Sequence, residues 1–310
     1  MNENGVDELG RALEGCSLCG RRCGVDRTRE ARGPCGAGLL PKVARWLPHM
    51  GEEPPLVGAQ GSGTVFFTGC SLRCLFCQNF AVSQGDQGQE VSVERLAEIM
   101  LQLQGMGCHN INLVSPTHFA PQIARTVEEA RGQGLQVPIV YNTHGYDTPE
   151  ALAWMHGKVD IYLADMKYAD DANARRFSGV EGYCEVNLEA LRIMFSQVGH
   201  LVEDPRTGLA TGGLLVRILV LPEGMEEAKA SLQILKREFS TELCVSLMAQ
   251  YAPVFKAHAH PPLDRTLDES EYEEVVDFAL ELGFTRLWLQ EPAAAHVGVP
   301  DFSADRPFAF

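Results

Sequence analysis

A mixed α/β fold with a largely parallel sheet is predicted by three observations. Short, nearly continuous apolar runs recur at residues 64–68, 110–115, 137–141, 159–163, 214–221, 243–248 and 285–290, the pattern of strands buried on both faces. Segments with helical spacing lie between them, at 92–105, 121–131, 148–156, 184–198, 226–239 and 268–282. The chemically reactive residues cluster directly after the strand-like runs. Strand and helix alternating about six times demand right-handed crossovers and a parallel sheet. Reactive residues beyond the strand ends favour a partial, TIM-like (β/α)6 barrel over residues 61–291, since barrel sites form there. A doubly wound open sheet is the alternative.

Taken in order, residues 1–60 are rich in Gly, Arg, Pro and Cys and lack sustained periodicity, which predicts a small cysteine-rich metal-binding module. The segment 92–105 carries Val93, Leu96, Ile99, Met100 and Leu103 on one helical face, with Ser92 as N-cap and Gly105 as stop. The last helix opens on Asp268 with Glu271 three residues on, a variant of the capping box. Residues 292–310 read as an irregular C-terminal tail.

With 310 residues, 45% of them hydrophobic and 22% charged, the chain has the composition of a globular protein. A net charge of −15 argues against nucleic-acid partners, whose phosphates are met by Lys and Arg. A neutral or protein substrate fits better. No apolar run approaches the ~18 residues needed to cross a bilayer, and the start has no signal-like pattern, so a cytoplasmic protein without a membrane partner is expected. In that compartment ten cysteines are metal ligands before they are disulfides. Seven fall in two groups, while Cys108, Cys184 and Cys244 stand alone as packing residues.

The first group, Cys70, Cys74 and Cys77, follows the first predicted strand with C-x3-C-x2-C spacing. Iron–sulfur cubanes normally take four thiolates, so three leave an iron open, as catalytic metal sites are. A zinc loop with a distant fourth ligand is the alternative. The second group, Cys16, Cys19, Cys23 and Cys35, offers four ligands and therefore a closed site. Zinc and an auxiliary iron–sulfur cluster both accept that sulfur set, and spacing does not choose between them. Arg217, inside the apolar run Leu214-Leu215-Val216-Arg217-Ile218-Leu219-Val220-Leu221, needs an anion, because an unpaired charge there would be costly. A bound carboxylate and an internal salt bridge both answer that need. His118 and His144 fall in strand-end loops, where substrate contact is one reading and surface hydrogen bonding the other. The pair His258 and His260 reads as incidental.

The three-cysteine loop, with an aromatic before its last cysteine, resembles the radical S-adenosylmethionine (SAM) superfamily. The resemblance narrows to the pyruvate formate-lyase activating enzyme group, in a branch with an N-terminal cysteine motif. It rests on stretches in order: Cys16-Ser17-Leu18-Cys19-Gly20-Arg21-Arg22-Cys23, Pro34-Cys35-Gly36, Glu52-Glu53-Pro54, Cys77-Gln78-Asn79, residues 110–118, Tyr141-Asn142-Thr143-His144-Gly145-Tyr146, residues 160–168, Leu219-Val220-Leu221-Pro222 and Leu247-Met248-Ala249-Gln250-Tyr251. It implies a 4Fe-4S cluster on Cys70, Cys74 and Cys77, with SAM on the open iron and one-electron cleavage to a 5′-deoxyadenosyl radical. It further implies Phe76 near the adenine, Ser115, Pro116 and Thr117 at the SAM amino group, and Asn142 and Thr143 at the ribose or a cation. Asp165 would serve the cation region, and Lys167 and Arg217 the SAM carboxylate. A protein substrate, such as a glycyl-radical enzyme or a peptide, and a flavodoxin- or ferredoxin-type electron donor follow from the same resemblance. Ile218 stands where the branch usually has histidine, and Asn142 where activating enzymes often carry aspartate.

Overall fold

A computed structural model of the chain describes residues 3–29, 32–291, 299–302, 304, 307 and 308, with side chains from residue 8 onward. The part of the C-terminal tail at 292–298 lies outside the described residues. Ten strands build one sheet: β1 (Lys42–His49), β2 (Ser62–Phe67), β3 (Gln89–Glu90), β4 (Ile111–Val114), β5 (Ile139–Thr143), β6 (Ile161–Asp165), β7 (Val202–Glu203), β8 (Ala210–Leu219), β9 (Cys244–Met248) and β10 (Leu287–Leu289). Their order is β10-β9-β8-β6-β5-β4-β2-β1-β3, with β7 beside β8. The sheet is open rather than closed, and the seven strands expected from the apolar runs are its parallel part.

Register follows from burial on both faces. Val65 pairs with Leu113, Leu113 with Tyr141, Tyr141 with Tyr162 and Tyr162 with Leu214, and all five side chains are buried. A slip by one residue would exchange the two buried faces, so the pairing is strongly specified. Ser92 caps Val93–Gly105 by accepting from Arg95 N at 3.2 Å. Thr148 caps Pro149–Met155, and the Asp268–Glu271 box opens Glu269–Glu281. Burying each Leu or Ile of these helices against the sheet contributes ~1.5–3 kcal/mol relative to exposure. None of the helices is long and apolar enough to cross a membrane, among the described residues.

Three features go beyond the sequence expectation. A helix, Glu3–Glu14, and strand β1 lie in the segment read as aperiodic, and β1 adds an antiparallel strand to the edge of β2. A further helix, Asp171–Ser178, leads into Tyr183–Val198. Phe302 and Phe308 of the tail pack on Phe66, with ring centroids 5.2 and 5.7 Å away.

Candidate functional site

The parallel strands end on one edge of the sheet, and a cavity of about 380 Å³ opens there. Its walls are the strand ends themselves: Phe66 of β2, Val114 of β4, Asn142 and Thr143 of β5, Asp165 of β6, Arg217 and Leu219 of β8, and Met248 of β9. The loop after β2 supplies Cys70, Cys74, Phe76 and Cys77. Ten of the twelve residues expected here by sequence are therefore brought together. Pro116 and Thr117 are not among the lining residues. Their segment is a short 3-10 turn that points Thr117 inward, where its hydroxyl meets that of Thr143 at 3.2 Å.

Glycine shapes the entry to the cysteine loop. Gly69 has φ +90°, and a Cβ on it would lie 2.2 Å from the Cys35 carbonyl oxygen, so only glycine permits both the turn and the approach. The loop is then pinned by Leu75 N donating to Phe177 O and Lys256 N donating to Leu75 O. Donors aim at its sulfurs. Ser178 Oγ donates to Cys74 Sγ at 3.0 Å, is itself 2.7 Å from Tyr168 Oη, and Ser83 Oγ is 3.2 Å from Cys77 Sγ.

Burial pushes the Cys70 thiol up to about 12 and the Cys77 thiol up to about 11, with the neighbouring Cys74 adding to both. Free thiolates are therefore disfavoured, and a metal centre is the natural counter-charge. Lys167 Nζ lies 2.8 Å from Asp165 Oδ2. Burial opposes its charge, but Asp165 and Cys74 outweigh burial and raise its pKa. The cavity thus holds a fixed cation beside sulfur.

Arg217 meets an anion, and that anion belongs to the protein. Its Nε donates to Glu53 Oε1 at 2.7 Å and its Nη2 reaches both Glu52 and Glu53. This is the internal salt bridge rather than a guanidinium left free for a bound carboxylate, because two buried carboxylates already satisfy its charge. Burial alone would raise the Glu53 pKa, yet the attraction and hydrogen bonds of Arg217 hold it below the usual carboxylate range. Glu52 lines the cavity and also accepts from Asn112 Nδ2 at 2.8 Å. Sequence reading gave Glu52, Glu53, His49, Gln250 and Gln290 no role. The demand of Arg217 for a partner, together with the place of Glu52-Glu53-Pro54 among the stretches that carry the resemblance, was the signal that pointed at the acidic pair.

The two loop histidines part company. His144 lines the cavity, its Nδ1 accepts from Tyr146 N at 3.0 Å, and Nε2 is therefore the protonated nitrogen facing Ser71 Oγ, also at 3.0 Å. Burial lowers its pKa to about 3, with the Lys167 charge adding to the effect. His118 lies away from the cavity, buried, with Nε2 3.0 Å from Thr68 O. Thr143 is likewise committed, since it bonds Asp147 and accepts from Gly145 N at 3.1 Å.

Among the described residues, no three His, Cys, Asp or Glu side chains are placed to hold a single metal ion. Three thiols, two buried and one half-buried, beside a cavity that carries Lys167, Asp165 and Glu52 and has no fourth cysteine in its lining fit a cubane with one open iron.

Residues 64–235 match the family model of the Radical SAM superfamily. An uncharacterized protein of Methanocaldococcus jannaschii is 27% identical over 276 residues, spanning 86% of this chain and 75% of that one. The pyruvate formate-lyase-activating enzyme of Clostridium pasteurianum is 27% identical over 140 residues, 42% of this chain and 56% of that enzyme. Among solved structures, Streptococcus suis SuiB bound to precursor peptide SuiA aligns with a TM-score of 0.50 at 10% identity, over 76% of this chain and 50% of that one, a likeness of fold.

Proposed function

Because the chain belongs to the radical SAM superfamily, we propose that it reductively cleaves SAM and takes a hydrogen atom from a protein or peptide, as a glycyl-radical-enzyme activating enzyme does. The family implies a 4Fe-4S cluster and SAM. The activating role draws on the distant match to the Clostridium pasteurianum enzyme. The observation that carries the reading is the Cys70, Cys74 and Cys77 loop opening on a cavity lined by opposite charges at the strand ends.

In this reading Cys70, Cys74 and Cys77 ligate the cluster, and Ser83, Ser178 and Tyr168 steady their sulfurs through hydrogen bonds. Bound there, the cluster and SAM supply one-electron cleavage of the sulfonium to a 5′-deoxyadenosyl radical. Lys167, kept protonated by Asp165, faces the SAM carboxylate with a charge-assisted contact. Glu52, held in place by Arg217 and Asn112, offers negative charge to the amino group or sulfonium. Ser115, in a left-handed turn at φ +56°, and Asn142 present polar groups from the ends of β4 and β5. Phe76, buried against Tyr251 at 6.1 Å, supplies an aromatic wall for the adenine. Cys16, Cys19, Cys23 and Cys35 form a second metal site. A flavodoxin- or ferredoxin-type protein supplies the electron.

Anaerobic, reconstituted protein given reductant and SAM should release 5′-deoxyadenosine, and a glycyl-radical enzyme incubated with it should acquire the radical doublet in electron paramagnetic resonance. Absence of 5′-deoxyadenosine overturns the reading. Release without a glycyl signal in any candidate partner retains the radical chemistry and removes the activating role.

A further inference from the structure

The four N-terminal cysteines converge, and they do so against the back of the Cys70 loop. Cys16 N donates to Val25 O at 3.1 Å and Gly24 N to Cys16 O at 3.0 Å, which folds Cys16 beside Cys23, whose Sγ is 4.0 Å from Cys16 O. A Cβ on Gly33 would lie 2.9 Å from Cys23 Sγ, so Cys23 points at the turn that carries Cys35. Arg22 N donates to Cys19 O at 2.9 Å, a turn that carries the chain from Cys19 back to Cys23.

Three contacts join this group to the other cysteine set. The Cys35 carbonyl sits on Gly69, which precedes Cys70. Ser71, which follows Cys70, bears on the Cys19 thiol. Arg73 Nη1 donates to Pro34 O at 2.9 Å. Arg21 then staples the two segments, donating from its guanidinium to the carbonyls of Ser71, Leu72, Ser178 and Gly179.

A second, independent observation is a buried charge. The Arg27 side chain, 1% exposed, donates to Gly38 O and His118 O and lies 3.8 Å from Cys16 Sγ, with no carboxylate partner among the described residues. A buried cation without an acid calls for negative charge nearby, and metal-bound thiolates supply it. Zinc and an iron–sulfur cluster both answer that charge, and the contact of this group with the Cys70 loop favours the one that can pass an electron.

We propose that Cys16, Cys19, Cys23 and Cys35 hold a second iron–sulfur cluster, which accepts one electron from an external low-potential protein and passes it to the cluster at Cys70, Cys74 and Cys77. The transfer oxidises the N-terminal cluster by one electron and reduces the cluster at Cys70, Cys74 and Cys77 by one, and no bond to a protein ligand breaks. The relay rests on the reading of the Cys70 loop given above, whereas the second cluster itself does not.

Electrons enter at Cys23, the exposed member of the four.

The test uses full-length protein purified without oxygen, with iron, sulfide and zinc counted. Wild type should carry about eight irons per chain, and both Cys19→Ala/Cys35→Ala and Cys70→Ala/Cys74→Ala/Cys77→Ala about four. The dithionite-reduced triple variant should keep a paramagnetic cluster signal. Stoichiometric zinc, or about four irons in wild type without zinc, overturns the site; the wild-type count does not depend on any variant folding. For the relay, stopped-flow bleaching of the remaining cluster by reduced flavodoxin should slow by an order of magnitude in the double variant, while dithionite still reduces it. Unchanged bleaching by flavodoxin overturns the relay. About eight irons without 5′-deoxyadenosine release would sink the SAM reading and leave the second cluster standing.

Discussion

The two cysteine groups lie back to back yet are built in opposite ways. Cys70, Cys74 and Cys77 face a cavity of about 380 Å³ lined by Lys167, Asp165 and Glu52, whereas Cys16, Cys19 and Cys35 are buried against backbone, with only Cys23 exposed. The arginines differ in the same sense. Arg217, beside the open group, is neutralised by Glu52 and Glu53, and Arg27, beside the closed one, meets carbonyls, the Cys16 sulfur and the Phe119 ring, with no carboxylate among the described residues. In the proposed reading, the site that admits a charged cofactor carries its own balanced ions, and the one that only holds a metal group lets its thiolates balance the charge.

The largest contrast is all or none. Cys74→Ala should abolish 5′-deoxyadenosine release, while Cys19→Ala should retain it when a chemical reductant is used; equal loss in both would erase the distinction. Next, Arg217→Met should cost ~3–5 kcal/mol in urea unfolding because two buried carboxylates lose their partner. Arg27→Met should cost the metal-free protein less and instead reduce iron retention by the N-terminal group. Gly69→Ala should cost about 3 kcal/mol, through its positive φ and the Cys35 carbonyl, and should lower the iron content of both groups.

His118 gives a smaller, pH-dependent effect. Burial lowers its pKa to about 4, with Arg27 adding to the shift. The unfolded chain therefore binds a proton that the folded one refuses. The stability this represents is fully present above about pH 6.5 and is lost as pH falls towards 4, by an amount on the order of 2 kcal/mol. Urea midpoints at pH 7 and pH 4.5, compared between wild type and His118→Gln, measure it. A similar pH response in the two proteins would refute it. Smallest of all, Ser178→Ala removes a donor to Cys74 Sγ and should lower the potential of the open-group cluster in a redox titration, leaving that of the N-terminal cluster unchanged.

What the sequence disclosed follows where burial is two-sided. Most of the seven parallel strands were legible because runs such as Thr64-Val65-Phe66-Phe67 are buried on both faces, whereas β10, half-buried to exposed, showed only through its apolar composition; Ser92, Thr148 and Asp268 marked helix starts through their own side chains. Strand β1 was not, since its residues Lys42–His49 alternate irregularly, with Arg45 and Pro48 inside them, and only Val43 and His49 are buried. Helix Asp171–Ser178 was too short and too polar to show a period. In the site, cysteine spacing exposed both groups. The partners of Arg217 lay hidden because Glu52 and Glu53 are more than 160 residues away along the chain, and the inward turn of Thr117 depends on Thr143. Contacts set by tertiary folding leave no local pattern.

Strand β1 carries a practical consequence. It shields the flank of β2 through six paired positions from Val43↔Phe67 to His49↔Ser62, and it hangs on the segment that holds the N-terminal cysteines. A chain shortened to begin near residue 61 would therefore bare the margin of a strand that is buried along its whole length, inviting self-association. Insolubility of such a fragment would report a missing neighbour, not a failed catalyst.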